Sequence, residues 1–210
     1  MSVYLPPLFS ARDSGDVSQL VLRHPFATLI TPTTGEPHIT HLPLLVHARL
    51  APHGTVVGHV ARANPHWRHL TAHPSIAIFH GPHAYVSPSW YGEPAAMVPT
   101  WNYAIVHMHG IAELVDDAAG KQSIVEELTG HFEAQREPPW HLQLEGDRLG
   151  AMLAAIVGFR IAVTRIDAKF KMSQNRSAAD RERVVTALGS ESDPDAIATA
   201  LWMSRREGRG

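Results

Sequence analysis

In the segment GHVARANPHW, residues 58 to 67, an arginine stands two positions before Asn-Pro. A permanently charged fork and the free N–H groups of a helix start therefore arrive at one place. Arg62 offers a planar pair of donors suited to two phosphate oxygens, and Asn64 with the adjacent amides adds neutral donors, so the segment reads as an anion site. An ordinary strand-to-helix junction has the same features, with Asn64 as a cap and Arg62 as a solvated charge at a strand end.

Two further clusters carry chemistry. AYVSPSWYGE (84 to 93) and VPTWNY (98 to 103) bring Tyr85, Trp90, Tyr91, Trp101 and Tyr103 into a short span, in a chain only 7% aromatic. The interleaved Ser87, Ser89, Thr100 and Asn102 supply hydrogen-bonding groups, a combination that a planar heteroaromatic ligand uses and that an aromatic core with capping hydroxyls also shows. KFKMSQNR (169 to 176) places Lys169 and Lys171 on one face of a continuing strand, either beside a ligand or as a solvated strand end.

Fifteen histidines raise the question of a metal. His107 and His109 leave one strand face, and His66, His69 and His73 fall near one helical face, but neither set has a carboxylate or cysteine at ligand spacing and no HExxH occurs. No metal site is expected. Ser87 and Ser89 lie in a Pro-containing loop rather than a nucleophile elbow, so no catalytic side-chain constellation is expected either.

The elements that must position these residues are mostly short strands. An amphipathic helix is expected over Asp13 to Arg23, then strands at Phe26 to Thr31, His38 to Val46, Thr55 to Val60 and Ser75 to Phe79, separated by PTTGEP, APHG and the ANP turn. Asn64 and Pro65 open a helix running over His66 to Ala72. Alternation predicts a long strand from Tyr103 to Val115, and Ile124, Val125, Leu128 and Phe132 form the stripe of a helix over Asp116 to Gln135, capped by Asp116 or Asp117. A second long strand, Val157 to Phe170, shifts phase at Ile166, which suggests a bulge or a strand crossing between sheets. Two helices, Ser177 to Leu188 and Pro194 to Met203, follow.

Length and composition bound the function. A chain of 210 residues, 44% hydrophobic, suits one domain with decorations, here a barrel over 1–176 and a helical extension over 177–210 packed on it or across a dimer. The net charge of -2 and a pI near 6.7 give no general attraction to nucleic acid. The GSESD joint of the last two helices is longer and more acidic than a helix-turn-helix turn, and the second helix carries IATALWM rather than base-reading side chains, although Arg176, Arg181, Arg183, Arg205 and Arg206 could touch phosphates. Without cysteine, a basic leader or an apolar run of about 20 residues, the expectation is a cytoplasmic protein with no membrane span.

HITHLPLLV, GHVARANPHW, HGPHAYVSPSWY, VPTWNY, HMHGIAEL and KFKMSQNR, in this order, resemble the PaiB family of FMN-binding negative transcriptional regulators, and the similarity extends from VYLPPLF to about Leu188. The resemblance implies a mainly β fold with helical additions, an antiparallel split β-barrel related to the pyridoxamine-phosphate oxidases, binding FMN as a homodimer. It assigns the phosphate to Arg62, Ala63 and Asn64. It lines the flavin ring with His41, Leu42, Pro43, Gly58 and His59, and brings Ser87, Trp90, Thr100, Trp101 and Asn102 from the partner chain. Lys171 would stabilise negative charge at the N1 and O2 edge of the ring. His80 departs from the family pattern, which has glutamine there. Three functions follow as expectations: a regulator that contacts DNA, an FMN-dependent oxidoreductase, and a flavin-free or haem-binding module of the same fold.

Overall fold

The computed structural model describes residues 3–11, 14–47 and 53–207, apart from the side chains of 206 and 207. Asp13, part of the APHG turn and the Arg206 side chain lie outside the described residues.

Among the described residues seven strands form: β1 (Phe26–Thr31), β2 (His38–Pro43), β3 (Leu45–His47), β4 (Thr55–Ala61), β5 (Ser75–Val86), β6 (Thr100–Val115) and β7 (Ile156–Lys171). They make one sheet in the order β2, β1, β5, β6, β7, β4, β3. β1 runs antiparallel to β2 and β5, and β4 to β3 and β7. The helices are α1 (Ser14–Arg23), α2 (Ala118–Glu133), α3 (Gly146–Ala154), α4 (Ala178–Gly189) and α5 (Pro194–Glu207). The fold is mainly β with helical additions, as expected.

Several boundaries differ from expectation for identifiable reasons. The strand expected over His38 to Val46 breaks at Leu44, whose amide donates to Pro25 O at 2.9 Å and whose side chain is fully buried. β2 and β3 consequently stand at opposite ends of the strand order with one residue between them, the connectivity of a sheet that bends toward closure. β5 runs on through Gly81 and Pro82, past the expected end at Phe79. A side chain at position 81 would meet Leu20 Cδ1 at 2.8 Å and Ala104 O at 3.0 Å, so the glycine permits close approach rather than a reversal. The helix expected after Asn64 is only a 3-10 turn, Pro65–Arg68. α3 has no counterpart among the expected elements: it opens on Gly146 at φ +56° with no side-chain cap.

Other features match. Asp117 caps α2, accepting from Gly120 N at 2.7 Å, and α2 buries Ile124 and Leu128 with Leu45, Val57 and Val115. Along β7 the buried positions change from Val157, Phe159, Ile161 and Val163 to Ala168 and Phe170, the change of face that the phase shift at Ile166 anticipates.

The chain divides into two units whose boundaries fall inside α1, β5, β6 and β7. The first comprises Met1–Leu20, His80–Val106 and Asp167–Gly210, and the second Val21–Phe79 and His107–Ile166. In the first unit α4 buries Val184 and Leu188, α5 buries Trp202 and Met203, and the Trp202 ring lies 5.3 Å from that of Phe170.

Candidate functional site

The second unit contains the strand-to-helix junction. β4 ends at Ala61, and Arg62 follows with its amide bonded to Ala155 O at 2.8 Å. Its guanidinium makes four hydrogen bonds: Nε to Ala154 O at 2.7 Å, Nη2 to Ile156 O at 3.0 Å, and Nη1 (3.3 Å) and Nη2 to the two carboxylate oxygens of Asp116. The Arg62 fork therefore grips an oxyanion, and the chain itself supplies it. Asp116 Oδ1 also receives Lys121 Nζ at 3.2 Å, from a lysine that is buried on α2. These hydrogen bonds, Arg62 first and Lys121 second, hold the Asp116 carboxyl below the usual carboxylate range.

The neighbouring candidates divide. The Ala63 amide has no hydrogen-bond partner among the described residues, and the residue is exposed. Asn64 is used internally at both ends of its amide: Oδ1 accepts from His66 N at 3.0 Å and Nδ2 donates to Thr40 Oγ1 at 3.0 Å. Trp67 lies beneath the junction, donating Nε1 to Arg62 O at 3.0 Å. Behind it is a polar chain through the buried His66, whose Nδ1 meets Thr40 Oγ1 and whose Nε2 meets Thr31 Oγ1, both at 2.8 Å, with Thr31 Oγ1 at 2.6 Å from Ser75 Oγ. Burial, then the His38 and His69 charges, lower the His66 pKa to about 4.

Of the ring-lining candidates in this unit, His41 is exposed on β2 with Nδ1 3.1 Å from Thr28 Oγ1, directly across the ladder. Pro43 is half-buried. Leu42 is buried, alternation having turned it inward. Gly58 faces Leu44, whose Cδ2 would stand 2.5 Å from an added Cβ, so the space beside this glycine is filled by the chain's own core. His59, opposite Gly158, keeps a buried Nδ1 with no hydrogen-bond partner, and burial lowers its pKa, leaving a neutral ring.

The first unit gathers the aromatic cluster. Lys171 Nζ donates to Thr100 Oγ1 at 2.6 Å and to Trp101 O at 2.5 Å, which uses two of its three protons. Burial, then the nearby Lys169 and Arg176, lower its pKa. Trp101 is 52% exposed and Tyr85 45%, their rings meeting edge to face at 6.2 Å. Asn102 points the other way and is completely buried, with Nδ2 donating to Ser173 Oγ at 2.9 Å and to Met203 Sδ at 3.3 Å. Its side chain is thus a tie within the unit. Ser173 holds this tie from a left-handed conformation, φ 61°. Ser87 caps the 3-10 turn Pro88–Trp90, bonding Ser89 Oγ at 2.7 Å, and Trp90 is half-buried on that turn. His80 is exposed on β5.

Asp116, Lys121, Thr40 and Ser173 carry no local signal for these roles. Asp116 reads as a helix cap, and Arg62 is 54 positions away. Among the described residues no three His, Asp or Glu side chains are grouped to hold a metal ion, and no helix is long and apolar enough to cross a membrane. His109 instead lies beside Arg165, whose Nη2 is 3.2 Å from Nε2.

Comparison with known proteins gives a consistent picture. Residues 3–165 match a family model described as "Putative FMN-binding domain". The chain is 38% identical over 207 residues to the Bacillus subtilis "Protease synthase and sporulation protein PAI 2", covering 96% of each. Among solved structures it resembles an FAD and heme binding protein from Mycobacterium smegmatis, with a TM-score of 0.61 at 17% identity over 82% of this chain and 78% of that one. It also resembles the flavocytochrome Anf3 from Azotobacter vinelandii, with a TM-score of 0.61 at 15% identity over 83% and 75%. At these identities the two structures speak to the fold, which is that of the split-barrel flavoproteins.

Proposed function

This chain belongs to the PaiB family, matched through its FMN-binding domain, and from that premise we propose that it is a homodimeric FMN-binding protein serving as a negative transcriptional regulator. The observation that carries the FMN reading is the Arg62 fork. It holds two carboxylate oxygens in the arrangement that two phosphate oxygens would present, and the amide of the next residue, Ala63, has no hydrogen-bond partner among the described residues. This donor set fits a phosphomonoester.

Arg62 and the Ala63 amide hold the phosphate, with Asn64 shaping the turn through its cap on His66. His41, Pro43 and His59 line one side of the ring. The unpartnered, neutral His59 Nδ1 is a buried polar atom of the kind that a ligand satisfies. Ser87, Trp90, Thr100 and Trp101 come to the ring from a second copy, and Lys171 travels with the two groups it bonds. Bound FMN would supply electron or hydride transfer. The protein's share is to bind, orient and set the local charge, and a lysine whose third proton reaches the ring would favour its negatively charged forms.

The regulatory part of the reading rests on the family resemblance. In the first unit Arg181 donates to Arg176 O and Arg183 pairs with Asp180, one Nη1 bond each. A salt-titrated gel shift with promoter DNA tests it: sequence-selective retardation supports the regulator, and purely non-specific binding at all salt concentrations overturns it.

Absorption spectra and fluorescence titration test the cofactor. The protein shows flavin bands after FMN loading, and Arg62→Ala weakens FMN binding by roughly ten- to a hundredfold, the value of hydrogen bonds to a charged group. Unchanged affinity in that variant would overturn the phosphate assignment.

A further inference from the structure

Four hydrogen bonds fix the Arg62 guanidinium, and they are of two kinds. Nε and Nη2 are anchored on the Ala154 and Ile156 carbonyls, at the end of α3 and the start of β7, while the Nη1/Nη2 edge faces the Asp116 carboxylate. The carbonyl anchors keep the guanidinium in place whatever occupies that edge. Asp116 is the exposed member: its side chain is 54% exposed, it precedes the α2 cap rather than forming it, and Asp117 makes the cap bond. Lys121, with a side chain only 6% exposed, shares Oδ1 of the same carboxylate from the α2 side.

Resting on the FMN reading above, we infer that Asp116 is a further residue of the phosphate site, an internal anion that occupies the Arg62 fork and is displaced toward Lys121 when a phosphate binds. A phosphomonoester carries up to two negative charges and three acceptor oxygens, against one charge and two oxygens on a carboxylate, so it outcompetes Asp116 for the same edge. The displaced carboxylate keeps a cation, so Lys121 is never left buried and unpaired, the outcome that would make displacement costly. Asp116 thereby sets how tightly a phosphate-bearing ligand is held and leaves the ring contacts alone.

The test is a set of fluorescence titrations of the flavin-stripped full chain with FMN and with riboflavin, which lacks the phosphate. Asp116→Asn keeps the shape and an acceptor oxygen for Lys121 while removing the charge. It is expected to tighten FMN binding about two- to fivefold, the range of a partly exposed ion pair, and to leave riboflavin affinity unchanged. In an Arg62→Ala background the same substitution is expected to have no effect on FMN, because nothing remains to compete for. Unchanged or weaker FMN binding by Asp116→Asn, or an effect that persists without Arg62, would overturn the competition while leaving the FMN reading standing. Failure of the wild-type chain and both variants to bind FMN would overturn the FMN reading and the competition with it. Melting curves of each variant establish that the comparison is between folded proteins, and Asp116→Ser, which also removes the charge, repeats the titration should the asparagine variant not fold.

Discussion

Arg62 illustrates how one side chain serves architecture and, in the function proposed, recognition: its carbonyl bonds tie the end of β4 to the junction of α3 and β7, and its outer edge holds the Asp116 carboxylate. His66 plays the complementary role from inside. A neutral imidazole has one donor and one acceptor, and the two threonine hydroxyls on its nitrogens accommodate that state at 2.8 Å each. Its pKa of about 4 lies below the ordinary 6.5, so the unfolded chain binds a proton across that interval and the folded one does not. Stability is therefore full above pH 6.5 and falls as the pH drops toward 4, by up to about 3 kcal/mol from this residue. Urea midpoints measured from pH 7.5 to 4.5 check the slope. His66→Gln is expected to flatten it at the expense of some stability at neutral pH, and an undiminished slope in that variant would locate the acid sensitivity elsewhere.

Individual strands are held by glycines chosen for lack of a side chain. On β6, a Cβ at Gly110 would stand 2.2 Å from Ala162 O and 2.6 Å from Ile161 Cγ2, both on β7. The first neighbour is backbone and cannot swing aside. Gly110→Ala is expected to destabilise the fold by about 1–3 kcal/mol or more, the cost of overpacking a filled interior, read as a lower urea midpoint with an unchanged slope. At Gly58 the neighbour is the end of the Leu44 side chain, which can move, so alanine there is expected to cost less. The break between β2 and β3 has the same origin: Leu44 fills the space beside Gly58 and gives its amide to Pro25, which takes it out of the ladder.

For the assembled molecule the exposed aromatic pair matters most. Trp101 and Tyr85 present large rings to solvent in the first unit, next to Lys171, and the homodimer we propose covers them. Trp101→Glu is expected to weaken self-association by about 30-fold, the effect of losing one central aromatic anchor. Sedimentation over a concentration series reads this directly. A wild-type chain that stays monomeric throughout, or a variant that assembles as tightly as the wild type, would remove Trp101 from the interface.

The sequence by itself determined what local pattern can encode. Period-two alternation marks most of the strand segments, Asn64 and Asp117 announce their caps, and the phase shift at Ile166 appears as a change of buried face along β7. The order of motifs identifies the family. The tertiary structure decided which of the marked groups turn into the interior. Asn102, Leu42 and Gly58 stand in chemically promising segments, yet each is turned into the interior, because alternation fixes that neighbours point oppositely but only packing fixes which neighbour points in. The partner of Arg62 was likewise invisible, since an ion pair depends on distance in space, and the 54 positions from Arg62 to Asp116 are closed only by the sheet.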